Sequence, residues 1–225
     1  MYINTFLNEI KVTEEVNKIL WKNKVLHEAS SINYVYRSLL EIIKEKGNAR
    51  FVDIGAKEGL YSLYCKSLDL VRIDSYEPFP LSYKCLVDNI VLNRCNNTIF
   101  PYNFAISNYK GVGILKCSKF EPSIKTLAQT PSRTKDFNEI KVMTDTLDNL
   151  YSVRRIDFIK CSVSGSEYFI IRGGVNVLKR DKPDLLITLN ETECNLASKE
   201  MFDLLDRLGY KQTCTIDHNI LFSAK

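Results

Sequence analysis

Apolar positions along the chain follow two different periods. In "VTEEVNKILWKN" Val12, Val16, Ile19 and Leu20 fall on one helical face, and in "SINYVYRSLLEIIKEKG" Val35, Leu39, Ile42 and Ile43 do the same. Residues 1 to 47 therefore read as helical, with Ser30 or Ser31 capping the second helix and Gly47 stopping it. Beyond Gly47 the period changes, and short β-branched or apolar runs alternate with helical stretches. The pattern predicts strands at Arg50 to Ile54, Arg72 to Tyr76, Thr98 to Asn103, Val112 to Cys117, Ile140 to Thr144, Phe158 to Val163, Leu185 to Leu189, Lys211 to Ile216 and Asn219 to Ser223. Helices are expected at Leu60 to Ser67, Pro80 to Asn93, Glu167 to Lys179 and Lys199 to Leu208.

Early β-α-β-α alternation followed by closely spaced strands implies an α/β fold built on an open, mostly parallel sheet with an antiparallel C-terminal edge. At 225 residues the chain is expected to be a single domain, 1–225, with a helical N-terminal extension over 1–47 and an α/β core over 48–225. The polar stretch from Lys119 to Asn138, with two prolines, is the candidate loop beside a ligand.

Charge and cysteine usage narrow the function classes. The formal net charge is +4 with 26% charged residues, and the basic residues are scattered rather than gathered into a stripe, so nucleic acid is not an expected partner. Seven cysteines form an odd set with no C-x-x-C pair and no histidine at zinc-ligand spacing, which reads as reduced thiols in a cytoplasmic protein without a metal site. The first residues carry no signal-peptide pattern, and no run of eighteen apolar residues suggests a membrane span.

The candidate chemistry begins at "FVDIGAKEGLYS", residues 51 to 62, where Asp53 precedes Gly55 and Gly59 at the end of the first core strand. Glycines there either permit close backbone approach to a ligand or form a plain turn with a helix-packing glycine, and ligands of open α/β sheets bind outside the C-terminal strand ends. The second apolar run, "VRIDSYEPFP", ends on Glu77, whose carboxylate can either accept from both hydroxyls of a ribose or cap the helix starting near Pro80. No G-x-G-x-x-G or G-x-x-x-x-G-K-[ST] is present, which disfavours a dinucleotide or a triphosphate. An acid beside the glycines suits a ligand carrying an ammonium and a sulfonium, namely S-adenosylmethionine.

Taken in order, "FVDIGAKEGLYSL", "YEP" followed by "NIVLN", "FAIS", "TLDNL", "IDFIKCSVSGSEYFIIRGG" and "KPDLLITLN" resemble the FkbM-type methyltransferase family over about residues 50 to 190. The resemblance implies the class I, Rossmann-like methyltransferase fold, S-adenosylmethionine as methyl donor, and O-methylation of a hydroxyl on a sugar, glycan or small natural product. It further implies that Asp53, Gly55, Ala56 and Gly59 line the methionine end of the cofactor and that Glu77 holds the ribose, with Pro78 shaping the turn. Asn103 and Phe104 would lie beside the adenine. Leu147 and Asp148 would brace the sheet.

The departures fall on the acceptor side. The family motif I-K-x-D-x-E-G-x-E appears here as Ile159, Lys160, Cys161, Ser162, Val163, Ser164, Gly165, Ser166 and Glu167, so two acids are replaced by serines. Lys57 stands where the family has Asn, and Thr188, Leu189 and Asn190 offer no carboxylate where a glutamate is common. The residues left to act on an acceptor are Lys160, Ser162 and Glu167, with Asp145 and Asp148 as acids that could approach from the preceding segment. Glu167 also suits the first turn of a helix without any substrate role. A serine is neither a base nor a metal ligand of the aspartate's kind. A methyltransferase-like scaffold that has lapsed catalytically is therefore the alternative to an active enzyme. His27 and His218 read as surface residues, and Cys161 as an apolar filler. On this reading Asp53→Ala and Glu77→Ala should each abolish cofactor binding without unfolding the domain.

Overall fold

A computed structural model of the chain describes residues 2–5, 8–11, 28–118, 125–127, 137–189 and 196–224. The expected helix over 12–23, His27, Asn190 and most of the Lys119–Asn138 stretch lie outside these residues. At the N-terminus, β1 (Tyr2–Thr5) and β2 (Asn8–Lys11) pair antiparallel, so the helical reading of residues 1 to 47 fails here. The helical spacing used for that reading starts only at Val12, whereas Tyr2, Ile3 and Thr5 are strand-favouring residue types.

The second predicted helix is present as α1 (Ala29–Lys46), which buries Ile32, Val35 and Leu39 along one face. Its cap is not local. Asp217 Oδ2 accepts from both Ser31 N (3.0 Å) and Ser31 Oγ (2.8 Å), so a turn 186 residues away satisfies the helix start. Gly47 ends α1 in the left-handed region, and its N–H donates to Ile43 O.

The core is a seven-stranded sheet in which β3 (Ala49–Ile54) is an inner strand. To one side lie β4 (Val71–Tyr76) and β5 (Ile99–Tyr102). To the other lie β10 (Phe158–Cys161), β11 (Asp184–Thr188), β13 (Asn219–Ala224) and β12 (Tyr210–Ile216). The pairs β3–β4, β4–β5, β3–β10 and β10–β11 are parallel, while β13 is antiparallel to both β11 and β12. The reversed strand is thus the one inside the C-terminal edge, and the edge strand β12 runs with the core.

Helices cover both faces. Phe51, Ile73, Ile99 and Phe158 pack with α1, α2 (Leu60–Cys65) and α3 (Pro80–Leu92). Val52, Ile54, Ile159 and Ile187 pack with α4 (Leu147–Leu150), α5 (Glu167–Arg172), α6 (Val175–Asp181) and α7 (Leu196–Arg207). Burial on both faces explains why these strands read as continuous apolar runs.

Two differences from the sequence pattern have identifiable causes. The strands expected at Val112 to Cys117 and Ile140 to Thr144 do not join the main sheet. They become β7 (Gly111–Ser118) and β9 (Phe137–Asp145) of a separate four-stranded sheet with β6 (Ala105–Ile106) and β8 (Lys125–Leu127). Leu115, Leu127, Val142 and Ala105 form its own small core, while Val112, Met143, Glu139 and Lys141 face out. Strands with only one apolar face fit such a covering sheet rather than a two-sided core. The helix expected over Glu167 to Lys179 is split into α5 and α6 at Gly173 and Gly174. A Cβ on Gly173 would lie 2.1 Å from Ser107 O, so the backbone leading into the second sheet passes where a side chain would stand.

Gly173→Ala is therefore expected to lower the urea midpoint by the equivalent of about 1–3 kcal/mol, an overpacking cost without any φ penalty. Among the described cysteines, all free, Cys214 is exposed whereas Cys65 and Cys161 are fully buried and their thiol pKa values are pushed up by burial. Maleimide labelling of the native protein, read by mass spectrometry, should modify Cys214 well before either.

Candidate functional site

After β3 the chain adds β4 and β5 on one side, then returns to place β10 and β11 on the other. This switch point opens a crevice beyond the C-terminal ends of β3 and β10. An open-mouthed cavity lies there. Gly55, Lys57, Glu77 and Pro78 line it from the first two loops, and Ser162, Ser164 and Ser166 from the loop after β10. The aromatic rings of Tyr76 and Phe104 and the second sheet's Ile106, Leu115 and Leu127 supply apolar wall.

The glycines of the first loop answer to contacts within the protein. Both are in the left-handed region, with φ of 73° at Gly55 and 88° at Gly59. A Cβ on Gly55 would stand 2.1 Å from Ser162 O, and one on Gly59 would stand 2.4 Å from Leu86 Cδ1. What approaches these backbones is the neighbouring strand end and α3. Gly55 still lines the cavity, whereas Gly59 and Ala56 face protein.

Glu77 stands just after β4, between the first loop and α3. Its Oε2 accepts from Lys57 N and its Oε1 from Phe79 N, each at 2.9 Å, so it joins the first loop to the entry of α3. It is also a cavity wall, 4% exposed. Asn103 acts behind this turn, donating from Nδ2 to Glu77 O (2.8 Å) and Pro78 O (3.2 Å), and does not line the cavity. Phe104 does line it, and its ring meets Tyr76 edge-on at 5.2 Å.

Asp53 and Lys160 face each other across β3 and β10, buried beneath the first loop and outside the cavity lining. Lys160 Nζ lies 3.2 Å from Asp53 Oδ1 and donates to Gly55 O at 3.0 Å. Ser62 Oγ donates to Asp53 Oδ2 at 2.7 Å. Lys160 is buried and does not line the cavity. For the same reason Asp53→Ala is not a clean test of cofactor binding, since it would leave a buried ammonium without its counter-ion.

On the acceptor side, Ser162 lines the cavity, but Glu167 does not. The Glu167 carboxylate accepts from Val163 N at 3.2 Å, closing the loop that leads into α5. Asp148 is occupied at the start of α6, accepting from Asn176 N and Val177 N, and Asp145 accepts from Thr146 N and Asn149 Nδ2. Neither reaches the loop. Tyr76, Lys57, Ser164 and Ser166 are lining residues that the sequence did not assign. Behind Tyr76, its hydroxyl and that of Tyr151 lie 2.8 Å apart, and Tyr151 donates to the buried Asp74, which Arg50 neutralises at 2.7 Å. Burial pushes both phenol pKa values up, so both stay neutral. The one sequence signal of this network is an acid in mid-strand, in "VRIDSY".

The strand order, with one reversed strand inside the C-terminal edge and a cavity at the switch point, is that of a class I S-adenosylmethionine-dependent methyltransferase. The family model of the methyltransferase FkbM domain matches residues 53–211. The chain belongs to the FkbM methyltransferase family, whose cofactor is S-adenosylmethionine. Among solved structures it is similar to methyltransferase FkbM from Methylobacillus flagellatus KT, with a TM-score of 0.54 and 17% identity over 78% of this chain and 43% of that one. It is also similar to the METTL16 methyltransferase domain, with a TM-score of 0.52 and 14% identity over 89% of this chain and 68% of the other. The chain thus spans less than half of the Methylobacillus protein. Curated protein sequences give no significant match. No helix among the described residues is long and apolar enough to cross a membrane.

Gly55→Ala should destabilise the fold more than Gly59→Ala, because a rigid backbone carbonyl blocks the first and a flexible leucine tip the second. Urea midpoints of the two variants, which share similar φ strain, check this order.

Proposed function

We propose that this chain is an active methyltransferase that binds S-adenosylmethionine in the cavity at the ends of β3 and β4 and methylates a hydroxyl of a sugar, glycan or small natural product. The observation that carries the reading is the convergence of Glu77, Pro78, Tyr76, Phe104 and Gly55 on one cavity at the switch point. Two parts of this set fit the cofactor: a carboxylate for ribose hydroxyls, and aromatic and proline faces for adenine. Asn103 supports the Glu77–Pro78 turn from behind.

The bound cofactor supplies an electrophilic methyl group on a sulfonium. The chain's own share is to align the acceptor and exclude water. Ser162, Ser164 and Ser166 offer neutral hydroxyls that can bind and orient an acceptor oxygen. They cannot take its proton, and a positioned base typically contributes about 10² to 10⁴-fold. That same neutrality favours the second reading, a cofactor-binding scaffold without turnover. The chain working as one domain, in the cytoplasm, on a small-molecule or glycan partner, belongs to the proposal.

Calorimetry of the intact chain with S-adenosylmethionine and S-adenosylhomocysteine tests it. Saturable binding of both is expected, weakened about tenfold to a hundredfold by Glu77→Ala through loss of charge-assisted hydrogen bonds. No binding to folded protein would overturn the cofactor assignment, and binding without turnover on hydroxyl acceptors would favour the scaffold.

A further inference from the structure

The Asp53–Lys160 pair sits directly under the loop that the proposed function assigns to the cofactor. In register, Lys160 is opposite Asp53 on adjacent parallel strands, and both side chains turn to the face covered by α2. The Lys160 side chain is 6% exposed and that of Asp53 is 1% exposed. Tyr61, the second residue of α2, closes the pocket, with the ammonium 5.1 Å from its ring centroid.

The distribution of hydrogen bonds within this pocket is uneven. The ammonium donates to Gly55 O at 3.0 Å. Asp53 Oδ1, 3.2 Å from the same nitrogen, makes a charge contact only, and no group among the described residues donates a hydrogen bond to it. A lysine placed solely to neutralise Asp53 would aim an N–H at that oxygen, because an unsatisfied buried carboxylate oxygen is costly. Here the directed bond goes to the loop carbonyl. From above, Ser162 O blocks the Gly55 Cα, and Gly55 N and Ala56 N are held by Tyr76 O at 2.9 and 3.0 Å.

We infer that Lys160 is a positioning residue, whose buried ammonium fixes the Gly55 carbonyl and with it the backbone that lines the cofactor cavity, while Asp53 is the counter-ion that allows the charge to be buried there. This rests on the proposed cofactor site, and it replaces a direct role for Lys160 on the acceptor. No bond to substrate is involved.

The test compares Lys160→Met, Asp53→Asn and the double variant Asp53→Asn/Lys160→Met. Each single change leaves one buried group without its partner, so both are expected to lose stability, and the double variant to recover most of it. Hydrogen exchange of the cofactor-free proteins over residues 51–62 reads the loop. Protection of the Gly55, Ala56 and Lys57 amides should fall in the double variant despite its recovered urea midpoint. Affinity for S-adenosylhomocysteine in the double variant should be about tenfold weaker. Wild-type loop protection in a stable double variant would overturn the inference and show the pair to be structural only. Should wild type not bind the cofactor at all, the functional proposal falls while the exchange measurement still decides the role of Lys160. If Lys160→Met does not fold, the double variant carries the comparison.

Discussion

The structure depends on the junction of β3 and β10, where two parallel strands end side by side and the sheet divides. Ser162 O lies where a Cβ of residue 55 would be, and Lys160 reaches from β10 to the Gly55 carbonyl on β3. No side chain fits between the two loops, so the strand ends stay close and the loops diverge above them. The cavity is that divergence. A buried ion pair is weak evidence for stability, since desolvation of both charges offsets their attraction. Its value here is directional, in holding one carbonyl at one place.

A second polar system supports the cavity from the other face. Arg50, Asp74, Tyr151 and Tyr76 run from β3 and β4 to the residue after α4, and Tyr76 carries the chain of contacts into the cavity wall. The neutral phenols let Tyr76 present an aromatic face to the site while its hydroxyl is satisfied inside the protein. Stacking of Tyr76 on Tyr102 at 4.9 Å extends the same wall toward the sheet edge. That edge is β5, where Pro101 limits pairing with a further strand.

The rest of the cavity wall is built from different material. The second sheet brings Leu115 and Leu127 over the cavity, and the loop after β10 contributes serines in place of the family's acids. Ser164 adopts a positive φ of 56° and Gly165 one of 98° in this turn. Glu167, the remaining acid of the motif, is turned back onto Val163 N. Geometry is thus maintained on a side whose titratable chemistry has been thinned.

How much was legible follows from the range of the forces involved. The core strands, α3 and the Glu77 turn could be read because two-sided burial writes long apolar runs and because Glu77 bonds residues on its own loop and the facing one. The family resemblance carried the cofactor with it. What the sequence could not determine was set by contacts between distant segments. Asp217 caps α1 across 186 residues, Ser107 O dictates Gly173, and Ser162 O dictates Gly55. Lys160 and Asp53, 107 positions apart, look like an acceptor residue and a ligand acid until strand register sets them opposite each other. The sequence by itself determined the sheet and the kind of ligand, because periodicity and loop composition are local. Tertiary structure alone decided which charged groups face the cavity and which support it from beneath, because that depends on which strand ends are neighbours.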